Sequence, residues 1–173
     1  MSGQSNHIVE FMLFYNRYKK QVYNYSLRMT SDAEITEDIV QNVFLSLFEN
    51  LDIIRNKDSI SFWIFKTARN EIYSHFRKMK LTRKNFIEAK DDSFNFKSDY
   101  DLTAVYELKE LKKIILDFLD ELPEEQKEVY LLREYGGLSY DEISAVTEVE
   151  TKTVKSRLYK VRQKLIKRLS KVI

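Results

Sequence analysis

Nine basic side chains and no acidic one fall within residues 151–173: Lys152, Lys155, Arg157, Lys160, Arg162, Lys164, Lys167, Arg168 and Lys171. Cations gathered in this way are the groups that bind nucleic-acid phosphates. An apolar stripe threads them, Val154, Leu158, Val161, Leu165 and Leu169, spaced 4, 3, 4 and 4. That period predicts a helix with one face to bury and a cationic remainder. Lys152, Thr153, Lys155, Ser156, Tyr159 and Lys160 lie in its N-terminal half and off the stripe. From there a helix seated in a major groove reaches base edges. Arg157, Arg162, Lys164 and Lys167 suit phosphates, which set affinity and salt dependence without reading sequence. A solvated bundle helix would carry the same pattern, so the neighbouring elements must decide.

Two further groupings could do chemistry. Glu34, Glu37 and Asp38 sit on adjacent turns of one predicted helix. They read as a carboxylate metal cluster, as a docking face for a basic partner helix, or as a plain solvated face, which is the default. Residues 59–79 interleave Phe62, Trp63, Phe65, Tyr73 and Phe76 with Lys66, Arg69, Asn70, Arg77, Lys78 and, just beyond, Lys80. Such a surface suits single-stranded nucleic acid, where bases stack on rings and cations follow the backbone. A small helical domain needs most of those rings for its core. With no cysteine and only His7 and His75, there is no thiol nucleophile, disulfide or thiolate zinc site. A Ser-His-Asp triad or a His-rich metal site has little material. No catalytic residue, metal ligand or cofactor is assigned.

The elements that must position these groups are helical. Three glycines and one proline in 173 residues, with helical periodicity throughout, predict an all-α protein. Helices are expected over 8–29, rich in aromatics, over 33–50 and over 59–79. In the second, Ile35, Ile39, Val43, Leu47 and Leu51 recur every four residues, and Val40, Phe44 and Phe48 widen the face. Residues 90–101 lack a helical period and read as a linker inside an acidic stretch, 81–121, of net charge −3. Its Phe94, Phe96 and Tyr100 are candidates for docking. After Gly136-Gly137, Ser139 and Glu142 have capping-box spacing and open a short helix. A turn and the basic helix follow, the outline of a helix-turn-helix. The first residues hold no basic segment followed by an apolar core, and no stretch approaches 18 uncharged apolar residues. A soluble, cytoplasmic protein is expected.

Two groups of segments carry a resemblance. Asp38-Ile39-Val40-Gln41-Asn42-Val43-Phe44 and Phe62-Trp63-Ile64-Phe65-Lys66-Thr67-Ala68-Arg69-Asn70 resemble region 2 of bacterial sigma factors. Leu122-Pro123-Glu124-Glu125-Gln126, Gly137-Leu138-Ser139-Tyr140-Asp141-Glu142-Ile143 and Thr153-Val154-Lys155-Ser156-Arg157-Leu158 resemble region 4. Their order and spacing are similar to the extracytoplasmic-function (group IV) sigma factors of the sigma-70 family, which keep only these two regions.

The resemblance implies two small helical domains, a three-helix region 2 at 8–80 and a region 4 helix-turn-helix at 104–173. A flexible acidic linker at 81–103 would join them. It implies core RNA polymerase and promoter DNA as partners, and an anti-sigma factor, often membrane-bound, with no direct insertion of this chain into a membrane. Asp38, Gln41, Asn42 and Leu45 would grip the polymerase. Ile54, Arg55, Asn56 and Lys57 belong to the loop that captures a flipped base of the −10 element. Trp63 is expected at the junction, with Asn70, Ser74 and Arg77 along the non-template strand. Lys152, Thr153, Lys155, Ser156, Arg157, Tyr159 and Lys160 would face the −35 duplex.

One departure stands out. The turn of the helix-turn-helix usually holds glycine and then a small capping residue, and here Glu148 and Glu150 occupy those places. Glu148 must adopt a conformation that glycine reaches more easily, and Thr151 is able to take over the cap. Two other functions remain open from sequence: a polymerase-independent helix-turn-helix regulator, and a metal-dependent nucleic-acid enzyme using Glu34, Glu37 and Asp38.

Overall fold

A computed structural model describes residues 2–82 and 102–171, with side chains for 5–82 and 108–171. Seven α-helices run through them: α1 (Ser2–Thr30), α2 (Ala33–Asn50), α3 (Ile60–Thr82), α4 (Leu102–Asp120), α5 (Glu124–Glu134), α6 (Tyr140–Thr147) and α7 (Thr151–Leu169). A single 3-10 turn, Lys57–Ser59, precedes α3. No strand occurs among the described residues, as composition led one to expect. Of the expected 81–103 linker, Leu81 and Thr82 close α3 and Leu102 and Thr103 open α4. Phe94, Phe96 and Tyr100 lie outside the described residues.

The first lobe packs α1, α2 and α3 against one another. The four-residue apolar row of α2 forms its centre, with Ile39, Val43, Leu47 and Leu51 buried beside Val22, Tyr25, Ile64, Phe65, Ala68 and Ile72. The turn into α2 runs through Ser31 at φ 56°, and the Asp32 carboxylate caps the helix by accepting the Ile35 amide at 3.0 Å. Phe48 departs from the expected core: it is 40% exposed and meets Phe11 edge-on. The other rings of α3, Phe62, Trp63, Tyr73 and Phe76, are half-buried against the core. None of them is a fully free stacking platform.

The second lobe packs α5, α6 and α7, with α4 resting on α7. Val154, Leu158 and Val161 are buried as the stripe predicted, against Val129, Leu131, Leu132, Leu138, Ile143 and Val146. Leu165 is partly buried beside them. The chain turns between α5 and α6 through Gly137 at φ 64°, a left-handed position that suits glycine. One continuous apolar core joins the two lobes, because α3 packs on α6 and α1 touches α5.

Candidate nucleic-acid interface

The helix-turn-helix is built as its sequence suggests. Ser139 Oγ accepts the Glu142 amide at 3.2 Å, and Glu142 returns a carboxylate oxygen to the Ser139 amide at 2.7 Å. This reciprocal pair satisfies two donors that the first turn of α6 leaves without partners. Glu148 ends α6 in the left-handed region, at φ 59° and ψ 34°. Glu150 holds the N-cap position of α7 without a side-chain cap bond. Thr151 does not take the cap over: it is the first helical residue, and its hydroxyl donates to Asp141 Oδ1 at 3.0 Å. Ser144 Oγ donates to the Val149 carbonyl at 2.6 Å. These two bonds fix the angle between α6 and α7.

On α7, Lys152, Lys155, Ser156, Tyr159 and Lys160 share one exposed face, with Tyr159 66% exposed. Lys152, Lys155 and Lys160 form no ion pair among the described residues. Thr153 is half-buried on the flank. Gln163 continues the same face one turn further on, and sequence reading passed over it.

Other cations of α7 are engaged inside the lobe. Arg157 Nη2 lies 2.6 Å from Glu125, Lys164 Nζ donates to Gln126 at 3.0 Å, and Arg168 pairs in a fork with Glu121 at 2.8 Å. Arg162 approaches Glu134 at 3.6 Å. The acids and amide of α5 and its approach therefore staple the recognition helix. Lys167 makes no ion pair among the described residues and stays exposed.

A second feature escaped sequence reading. The Tyr140 ring, at the start of α6, lies 5.1 Å from the Arg133 guanidinium and 5.9 Å from the Lys155 ammonium. A hydrogen bond to Arg162 and the surrounding positive charge lower the Tyr140 phenol below its ordinary range. Three cations around one phenol make a strongly positive spot beside the exposed face of α7. Arg133 lies 7 residues before Tyr140, and Lys155 and Arg162 lie 15 and 22 after it, separations that hide the cluster from any helical period.

The loop ahead of α3 is held by its own side chains. Asn56 Oδ1 accepts the Asp58 amide at 3.0 Å, shaping the 3-10 turn. Lys57 donates to the Leu51 carbonyl and lies 3.5 Å from Glu10, so its charge is turned towards α1 and the end of α2. Arg55 stays exposed and Ile54 is half-buried against the core. Ile53, 72% exposed, is the most prominent apolar group of this loop, and no motif had singled it out. Along α3, Asn70 and Arg77 are exposed, while Ser74 and Trp63 are half-buried.

The outer face of α2 presents Glu34, Glu37, Asp38, Gln41, Asn42 and Leu45, all exposed, with Leu45 at 56%. Asn42 Nδ2 donates across to Glu71 of α3 at 3.1 Å. Among the described residues, no three carboxylates, histidines or cysteines converge as a metal site, so Glu34, Glu37 and Asp38 form a face and not a cage. Beside them, an apolar groove of about 570 Å³ runs between α1 and α2, floored by Phe11, Tyr15, Val40, Phe44 and Phe48 with Leu45 on its rim. No helix among the described residues is long and apolar enough to cross a membrane.

Comparisons with known proteins agree with this geometry. The family described as Sigma-70 region 2 matches residues 14–82, and Sigma-70, region 4 matches residues 112–165. The ECF RNA polymerase sigma-E factor of Escherichia coli K12 is 27% identical over 173 residues, covering 94% of this chain and 88% of that protein. The ECF RNA polymerase sigma factor EcfG of Rhodopseudomonas palustris TIE-1 is 29% identical over 143 residues, covering 82% and 75%. Among solved structures, the sigma factor RpoE bound to the anti-sigma factor NepR, from Bartonella quintana, matches the fold with a TM-score of 0.70. That match spans 93% of this chain and 97% of the other at 22% identity. CnrH in complex with the cytosolic domain of CnrY gives a TM-score of 0.59 at 20% identity, over 92% and 87%.

Proposed function

Because this chain belongs to the sigma-70 family, in its extracytoplasmic-function branch, we propose that it docks on core RNA polymerase through α2 and reads promoter DNA with α3 and α7. It directs promoter-specific transcription initiation. The observation that carries the assignment of surfaces is the exposed face of Lys152, Lys155, Ser156, Tyr159 and Lys160, whose lysines form no ion pair among the described residues, set at the N-terminal half of the second helix of a helix-turn-helix.

Seated in the −35 major groove, lysines there donate to guanine O6 and N7, and the Tyr159 ring offers apolar contact to a thymine methyl. Arg133 and Arg162 around Tyr140 suit a phosphate at the groove edge. Arg157 supports the helix from its flank through Glu125. At the −10 element, Arg55 is exposed to meet an extruded base, with half-buried Ile54 beside it, while Asn56 and Lys57 hold the loop's shape. Asn70 and Arg77 extend the path of the non-template strand along α3, with Ser74 and Trp63 beneath.

Asp38, Gln41, Asn42 and Leu45 form the polymerase-docking face, polar and acidic on one side and apolar at Leu45. The same face and the groove beside it suit an anti-sigma factor, which would silence the protein by covering them. The chain acts in the cytoplasm and performs no bond chemistry of its own; it lends specificity to the polymerase. Asp38→Ala with Gln41→Ala should weaken binding to core polymerase at least tenfold with the helical signal unchanged. An unaltered affinity would remove α2 as the docking helix.

A further inference from the structure

The first turns of α1 hold the loop between α2 and α3 at two places. His7 Nδ1 lies 2.9 Å from Asp52 Oδ1, and its Nε2 lies 3.0 Å from the Phe48 carbonyl. The imidazole meets the Phe48 ring edge-on, with centroids 4.8 Å apart, and Phe11 meets that same ring at 5.2 Å. Glu10 follows His7 by three residues, which puts both on one side of the helix. Its Oε1 lies 3.5 Å from Lys57 Nζ, and the same ammonium donates to the Leu51 carbonyl. Two tethers from one turn of α1 therefore end on Asp52 and Lys57 and bracket residues 53–56.

The rest of the loop is held only at its ends. The Ile53 and Ile54 amides donate to the Asn50 carbonyl at 3.0 and 3.1 Å, next to the buried Leu51. At the far end the Asp58 amide donates to the Asn56 side chain, and the Ser59 amide to the Asn56 carbonyl at 3.2 Å. The Asp52 side chain is 82% exposed and is held, among the described residues, by His7. Ile53 and Arg55 stand exposed between the two tethers.

We propose that the start of α1 is a brace for this loop, with His7 and Glu10 as positioning residues that sharpen its choice among extruded −10 bases. The proposal rests on the reading of the loop as the one that meets the extruded base. Neither residue has to touch DNA. A loop already fixed in its bound shape rejects a wrong base through clashes and unpaired polar groups. A loop without the brace re-packs around several bases, and the difference in their affinities shrinks.

The His7 tether depends on protonation. Both ring nitrogens face acceptors, so a neutral ring satisfies only one of them. The charged groups facing the ring are Asp52, just beyond α2, and Glu10 on α1 itself, and both favour its charged form. Lys57 in turn pairs with Glu10. Base discrimination should therefore be sharpest at low pH and weaken as pH rises through the folded value of His7.

Promoter substitution tests the brace. On a promoter recovered by run-off transcription with sigma-free core polymerase, each of the four bases is placed in turn at every −10 position. Output ratios within that set cancel differences in core affinity and polymerase activity. His7→Ala and Glu10→Ala, each verified as folded by circular dichroism, should narrow the preference at the captured position by about threefold or more. Preferences at the −35 element should stay as they are. In the wild type the −10 preference should narrow as pH rises above about 6.5 and through the raised folded value, and His7→Ala should remove that dependence. Arg55→Ala is the control on the loop itself. If Arg55→Ala narrows the preference while both folded α1 variants keep the wild-type ratios, the proposal is overturned and the loop assignment stands. If Arg55→Ala also leaves every −10 ratio unchanged, the loop assignment is wrong and the brace falls with it.

Discussion

Arg157 Nη2 lies 2.6 Å from Glu125 Oε2, so one cation of the recognition helix is held by the first turn of α5. Lys155 and Lys160, on the adjoining exposed face, form no ion pair among the described residues. The two kinds of cation should therefore respond differently to removal. Arg157→Ala should cost up to about 1 kcal/mol of stability, since the Glu125 carboxylate is largely exposed. Lys155→Ala and Lys160→Ala should leave stability unchanged but lower output from a −35-dependent promoter. Each should also reduce the slope of log affinity against log salt by about 1 if it contacts a phosphate. Urea unfolding and run-off assays on the three variants check this, and unchanged promoter output in both lysine variants would displace the base-reading face from α7.

Glu148 is expected to be a site of stored strain. A non-glycine residue in the left-handed region costs about 1–2 kcal/mol, and the added backbone freedom of glycine in the unfolded chain takes back about 0.4–1 kcal/mol. Glu148→Gly should thus stabilise the second lobe by roughly 0.5–1 kcal/mol, the difference between those terms. Its φ of 59° and exposed side chain give glycine nothing to lose by packing. A rise of a few degrees in the unfolding midpoint is expected. A fall would mean that the Glu148 carboxylate makes a stabilising contact.

His7 clips the start of α1 to the end of α2. Its Nδ1 lies 2.9 Å from Asp52 Oδ1 and its Nε2 3.0 Å from the Phe48 carbonyl, two acceptors that together call for the doubly protonated ring. The hydrogen bond to Asp52 is the main cause that holds the imidazole above its ordinary value of 6.5, and Glu10 adds to it. A histidine with a raised folded value stabilises fully below pH 6.5 and loses that contribution as pH rises through the folded value. Stability of the first lobe should therefore decline as pH rises above about 6.5 and through the raised folded value, and His7→Gln should flatten that decline. A titration of the His7 ring followed by NMR that gave an ordinary or lowered value would contradict this.

Local pattern made much of the molecule legible. The four-residue row of α2, the stripe of α7, the Ser139–Glu142 box and the strained place of Glu148 can all be read within a few residues of sequence, because helix period and caps are short-range facts. The division of labour among the α7 cations could not be read. Glu125, Gln126 and Glu121 reach Arg157, Lys164 and Arg168 from 32, 38 and 47 residues away. Lys57, placed by resemblance in the base-capturing loop with Arg55, is drawn inward by a carbonyl at the end of α2 and by Glu10 of α1. The contact of Glu128 with Arg69 joins two lobes and leaves no trace in either periodicity. Tertiary proximity decided each of these cases, and a single sequence does not contain it.

Run-off transcription from fragmented genomic DNA of the source bacterium, on sigma-free core polymerase with and without this protein, tests the central claim most directly. Discrete start sites that appear only with the protein, preceded by shared −10 and −35 sequences, are the predicted result. The contradicting result is silence from demonstrably folded protein while a housekeeping sigma factor initiates normally on the same core, together with tight binding of duplex DNA by this chain alone.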